Sequence, residues 1–195
     1  MSLLSWLLGR VFCDLLQHGR ETERLIARKD ASLLAHTTPE LERYFDKPPT
    51  ALPRQNAFPV TIALLLLLVA FALNLLTLLQ SMPSVAPPAH ALSFFAPSLA
   101  MIMTLMVSSF LLARGFNAGL AGFFWLLGAL LLLTVGQLIV GLIIGGGSAG
   151  ALLLACALLA GARIVVNGRG FVLFVLYCRT RRITSVARGV RLRQK

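Results

Sequence analysis

The closest grouping of reactive side chains in the sequence is Cys13, Asp14 and His18. A thiol, a carboxylate and an imidazole are the parts of an activated nucleophile, which needs its base within hydrogen-bond reach of the sulfur. On a helix Asp14 and His18 are one turn apart, but Cys13 and His18 do not share a face. The grouping is a poor nucleophile and base, and no catalytic residue is assigned. His36 and His90 flank the first long apolar run and fall on opposite sides of a membrane, so the three histidines cannot gather with a carboxylate into a metal site. Cys13, Cys156 and Cys178 lack CxxC spacing, which argues against a disulfide framework or a zinc site. The sequence contains no HExxH, and the glycines at 145–147 are not followed by the Lys-Ser/Thr of a phosphate-binding loop. It predicts a non-enzymatic protein without cofactor or metal.

A second set of polar side chains lies inside apolar runs, where each needs a partner: Asn74, Ser98, Thr104, Ser108, Ser109, Thr134 and Gln137. Asn74 and Gln137 each fall about five residues past the middle of their run, roughly 7–8 Å along a helix. Pro97 and Ser98 precede the middle of an oppositely directed run by a similar distance, which puts all four at one depth. Pro97 lacks a backbone donor and frees the carbonyl of Ser93. Asn74, Pro97, Ser98 and Gln137 thus form a candidate intramembrane polar layer. It serves either to staple helices, at roughly 0.6–2 kcal/mol per hydrogen bond, or to bind a solute.

The elements that must position these groups follow from composition. The 195 residues are 57% hydrophobic and 13% charged, with mean hydropathy +0.83. Soluble domains are roughly 45–50% apolar and 25% charged, so lipid is the solvent for much of this chain. All seven acids lie between Asp14 and Asp46, and from Lys47 onward there is none. The net charge of +11 comes from basic residues that flank apolar runs or gather at the tail, with no groove-filling helix or aromatic platform, which argues against nucleic acid.

Residues 1–58 read as an amphipathic helical region. Leu4, Leu7, Val11 and Leu15 recur at helical spacing, widened by Leu3, Trp6, Phe12 and Leu16, with Ser5, Arg10, Asp14 and His18 off the stripe. This helix is expected in the membrane interface; the alternative is a helix packed on the rest of the protein. Basic residues do not precede its apolar stretch, so it is read as retained rather than cleaved. Thr37-Thr38-Pro39-Glu40 marks a second helix start, and Pro48-Pro49 to Pro53 an extended connector.

Residues 59–166 hold four expected spans, 59–79, 92–112, 120–144 and 149–166, judged against roughly 20 residues per crossing. The connectors around Gln80 to Ala91 and Gly145 to Ser148 carry no Lys or Arg, whereas Arg114 and the arginines after the fourth span do. The positive-inside rule then places both termini in the cytoplasm. The expected fold is an all-α membrane protein with four transmembrane helices, an N-terminal amphipathic region and a basic cytoplasmic tail.

Residues 167–195 follow a break at Asn167-Gly168-Arg169-Gly170. Phe171 to Cys178 is too short to span as a helix and is read as an interfacial segment, with a β-hairpin turning at Asn167-Gly168 as the alternative. The tail carries Arg179, Arg181, Arg182, Arg188, Arg191, Arg193 and Lys195. These are expected to face anionic lipid of the inner leaflet at roughly 1 kcal/mol each, the alternative being a solvated disordered tail.

Small residues every fourth position permit close helix approach. They occur at Gly115-x3-Gly119, Ala118-x3-Gly122, Gly141-x3-Gly145, Gly146-x3-Gly150, Ala151-x3-Ala155 and Ala157-x3-Gly161. Their concentration on the third and fourth spans predicts that these two form the tight hairpin, packed through Gly141, Gly145, Ala151, Ala155, Ala157 and Gly161.

Abundant packing surface with scarce chemistry leads to one expectation: an integral subunit or accessory protein of a larger assembly in the bacterial inner membrane, such as secretion or conjugation machinery. Its expected partners are integral membrane proteins or further copies of itself. The alternatives are a small transporter or channel using the polar layer, and an immunity protein using the Gln80 to Ala91 loop against a membrane-targeting toxin.

Overall fold

A computed structural model of the chain describes residues 9–28, 37–45, 56–81, 87–144 and 149–193. Among them it is all-α, with helices α1 (Arg10–Arg28), α2 (Pro39–Phe45), α3 (Phe58–Gln80), α4 (Pro87–Ala113), α5 (Asn117–Ile144), α6 (Ala149–Val166) and α7 (Arg169–Arg193). Four of these, α3 to α6, are long and apolar enough to cross a membrane. The chain is a multi-pass helical membrane protein.

The spans begin and end where local chemistry allows. Pro59 sits in the first turn of α3, where its missing N–H is harmless, and Asn56 Oδ1 accepts the Phe58 N–H at 3.0 Å. The helix α4 starts earlier than residue 92 because Pro87 and Pro88 occupy its first turn, and it continues unbroken through Pro97. Thr38 Oγ1 accepts the Leu41 N–H at 3.3 Å, capping α2.

Consecutive spans run antiparallel, so the start of α3, the end of α4, the start of α5 and the end of α6 share one end. The arginines of α7 lie there too. The most extensive pairing of spans joins the first and the fourth, not the third and fourth as expected. Its seam alternates small and large side chains: Ala63, Leu67 and Ala70 on α3 against Leu152, Ala155, Leu159 and Ala162 on α6, all buried. Without a hydrophobic drive in lipid, such alternation lets backbones close while leucines fill the gaps.

The segment after α6 corrects two expectations. Residues 169–193 form one continuous helix, so the short segment expected over Phe171 to Cys178 and the basic tail after it are one element; the disordered-tail alternative fails with it, and the hairpin alternative fails because Arg163 to Val166 belong to α6. Helix α7 spans about 37 Å at 1.5 Å per residue and runs as a strut across the arginine-rich end. Phe171 meets Phe123 of α5 edge to face, and Gly170 lies against Pro59 of α3. Farther along, Ala187 shares a small apolar cluster with Ile26 of α1.

Helix α1 takes the packed alternative. Its buried stripe is Phe12, Leu15, Leu16, Gly19, Thr22 and Ile26, the i, i+3, i+4 pattern of a helix face. Phe12 stacks on Phe124 with ring centroids 6.4 Å apart and meets Phe171 at 6.3 Å. Val11, expected on the stripe, is exposed. Leu3, Leu4, Trp6 and Leu7 lie outside the described residues.

Candidate functional site

On α7 the residues Phe171, Val175 and Arg179 stand at i, i+4 and i+8, which puts an arginine on the face that packs into the bundle. Arg179 is only 4% exposed. Its Nη1 donates to the Leu15 carbonyl of α1 at 2.7 Å and its Nη2 to Asn117 Oδ1 of α5 at 3.0 Å. Burial pulls its pKa down and the Glu23 carboxylate opposes that; a guanidinium keeps its proton in either case. The result is a cationic cross-link joining α1, α5 and α7.

Glu23 completes this hub. Its Oε1 accepts the Asn117 N–H at 2.8 Å, satisfying an orphan donor at the start of α5, and lies 3.4 Å from Arg182 Nη1. The Arg182 guanidinium stacks 3.6 Å from the Phe116 ring centroid, with Nη1 also 3.4 Å from the Gly115 carbonyl. Two glycines make room. A Cβ at position 19 would collide with Asn117 Oδ1 and the Arg179 guanidinium, and Gly115 takes φ +76° where a side chain would strike the Cys178 carbonyl.

Two further ties fix the same end. Asn167 Oδ1 accepts the Phe12 N–H at 3.1 Å, in the first turn of α1, while Asn167 Nδ2 donates to the Arg163 carbonyl at 2.8 Å. Glu42 of α2 is buried, accepts from Thr37 Oγ1 at 3.1 Å and pairs with Arg191 Nη2 at 3.2 Å, and Phe45 at the end of α2 meets the Tyr177 ring of α7.

The predicted polar layer divides. Gln137 Nε2 donates to the Asn74 backbone carbonyl at 3.2 Å, so α5 and α3 do meet at those residues. Asn74 is fully buried, and its Nδ2 donates to the Ala70 carbonyl at 2.7 Å. Asn74 Oδ1 and Gln137 Oε1 are buried with no hydrogen-bond partner. Pro97 and Ser98 are half-exposed on α4, and Ser98 Oγ donates to the Phe94 carbonyl of its own helix at 2.7 Å.

The predicted packing residues divide as well. Ala155 is buried in the seam between α3 and α6, and Gly161 approaches Leu66 of α3. Ala151 is half-buried, Ala157 is exposed, and a Cβ at Gly141 would meet no neighbour within 4 Å. Gly145 lies outside the described residues. The tight glycine contacts are at Gly119 and Gly122, against the backbone of Leu112 and the hydroxyl of Ser108, so they belong to the α4 and α5 hairpin.

Among the basic residues expected to face lipid, Arg179 is the correction, since it points into the protein. Arg182 and Arg191 are half-buried and paired with Glu23 and Glu42. Arg181, Arg188 and Arg193 are exposed, and Lys195 lies outside the described residues. Asn117, Glu23, Gly19 and Asn167 were missed by sequence reasoning. The one available signal was the phase of Arg179 with Phe171 and Val175.

At Cys13 burial and the adjacent Asp14 both push the thiol pKa up, the reverse of nucleophile activation. His90 is exposed and His36 lies outside the described residues. Among the described residues no three His, Cys, Asp or Glu side chains group as metal ligands do.

The fold and hub define a multi-pass helical membrane protein whose first and last described helices are clamped together at one end. No known protein family, curated protein or solved structure matches the chain.

Proposed function

We propose that the protein is a non-enzymatic integral subunit or accessory component of a larger assembly in the bacterial inner membrane, with the arginine-rich end cytoplasmic. One observation carries this reading. From Pro88 to Ala100 on α4 and from Val135 to Ile143 on α5 no residue is buried, so apart from the contact of Gln137 with Asn74 two adjacent helix halves pack only lightly within their own chain. Large apolar groups such as Phe95, Leu99 and Leu142 stand exposed there. Helix association in lipid depends on packing contacts, and a partner helix seated between these halves would supply them. Photo-crosslinkers at Leu99 and Leu142 in native membranes test the reading. It expects one discrete adduct of fixed stoichiometry that survives gentle purification; a lone monomer carrying only lipid adducts contradicts it.

A second reading, a small transporter or channel, has a specific observation in its favour: the unpartnered oxygens of Asn74 and Gln137, buried side by side. It expects N74L/Q137L to abolish flux at normal expression. Loss of the protein from the membrane instead marks the pair as a structural staple.

A further inference from the structure

Beside the hub lies a recess of about 390 Å³ formed by the end of α4, the turn that follows and the middle of α7. Its polar lining is Arg114, Arg181, Arg182 and Ser185, and Phe116 and Val186 supply part of its apolar wall. Three arginines line it, and the one carboxylate paired with any of them, Glu23, answers Arg182. Arg114 lies over the Phe110 ring, 4.6 Å from its centroid. Arg114 and Arg181 are exposed and, among the described residues, their guanidiniums have no hydrogen bond or ion pair. The recess keeps an excess of two positive charges. The neighbouring Cys178 thiol is pushed up to about 11 by burial and adds no negative charge near neutrality.

We propose that this recess binds a phosphate oxyanion, specifically the phosphodiester headgroup of one anionic phospholipid. Guanidiniums match phosphate oxygens with paired N–H donors, and Ser185 adds a hydroxyl. The location favours a lipid over a soluble ion. Arg114 directly follows the last residue of a membrane-spanning helix, which is headgroup depth. Above it, Phe110, Met106 and Met103 continue the helix face of Ala113 and are exposed, an apolar track for an acyl chain. The hub fixes the site from below, because Arg182 is held by Glu23, Gly115 and Phe116. This site is independent of the assembly reading and holds for a monomer equally.

Native mass spectrometry of the purified full-length protein, with dioleoyl phosphatidylglycerol or phosphatidylcholine added back, tests the assignment. The wild type is expected to retain one phosphatidylglycerol in preference to phosphatidylcholine. R114Q/R181Q, which alters only exposed side chains, is expected to bind it on the order of 30-fold more weakly with unchanged helicity. R169Q/R193Q removes the same charge from exposed positions outside the recess and is expected to retain the lipid. Equal retention by wild type and R114Q/R181Q, equal loss in R169Q/R193Q, or no preference over phosphatidylcholine overturns the site. If inorganic phosphate binds at millimolar concentration and displaces the lipid in an Arg114- and Arg181-dependent way, the oxyanion chemistry stands and the lipid headgroup as its source is overturned.

Discussion

The two ends of the helical bundle are built on opposite principles. At the arginine-rich end, Arg179, Asn117, Glu23 and Asn167 join elements far apart in sequence through charge-assisted and capping hydrogen bonds. At the other end α3 and α6 still pack through Ala70 and Leu152, while α4 and α5 pass them without burying a side chain beyond Thr134 on α5 or before Met101 on α4. The difference teaches where this fold needs polar chemistry. Apolar spans are already soluble in lipid and need no cross-link, whereas α1, α2 and α7 stay on the bundle only if their polar backbone ends and charges find partners.

Substitutions that break the comparison should rank by how much buried polarity they strand. Arg179→Leu leaves Asn117 Oδ1 unpaired, at about 1–3 kcal/mol, and removes the second donor to the Leu15 carbonyl, which keeps its own helical N–H. It is expected to produce the largest fall in thermal unfolding temperature in detergent. Gly19→Val should approach it, because any side chain there displaces Asn117 Oδ1 and the Arg179 guanidinium. Glu23→Ala strands the Asn117 N–H and releases Arg182, for about 1–2 kcal/mol. Glu23→Gln keeps an acceptor and should recover most of the loss.

The opposite end should respond weakly. Leu99→Ala and Leu142→Ala are expected to change monomer stability by less than about 0.5 kcal/mol, and a larger loss would mean that these halves are packed after all. Asn74→Leu removes an oxygen without a partner, so stability should move by less than about 1 kcal/mol. The smallest effect is at Cys178. Its thiol is raised to about 11 in the folded protein, so the neutral form is favoured by folding. That contribution is complete below the ordinary thiol range and is lost as pH rises toward 11. Maleimide labelling of Cys178 at pH 8 should therefore be slow until the protein is unfolded.

The spans were legible because their signal is length and apolarity, and 149–166 was placed to the residue. The contact of Asn74 with Gln137 was legible from depth, since two polar side chains at one level on neighbouring spans have few other partners. The continuity of α7 was not. Its buried stripe passes through Arg179 and Thr184, which breaks the apolar periodicity after Cys178 and makes a helix look like a short segment with a charged tail. Arg179 was assigned to lipid for the same reason: an arginine near a membrane boundary is usually solvated, and its partners lie 164 and 62 residues away. The small-residue motifs overpredicted packing at Gly141 and Ala157, because spacing alone does not say which face meets a neighbour.

The clamp of α1 onto α7 through Arg179 is the claim on which the rest depends. Hydrogen–deuterium exchange of the wild type and Arg179→Leu in lipid nanodiscs measures it directly. The amides of Phe12 to Ile26 should exchange slowly in the wild type and become fast in the variant, with α3 and α6 protected in both. Fast exchange of this segment in the wild type, or equal protection with and without the arginine, would contradict the account.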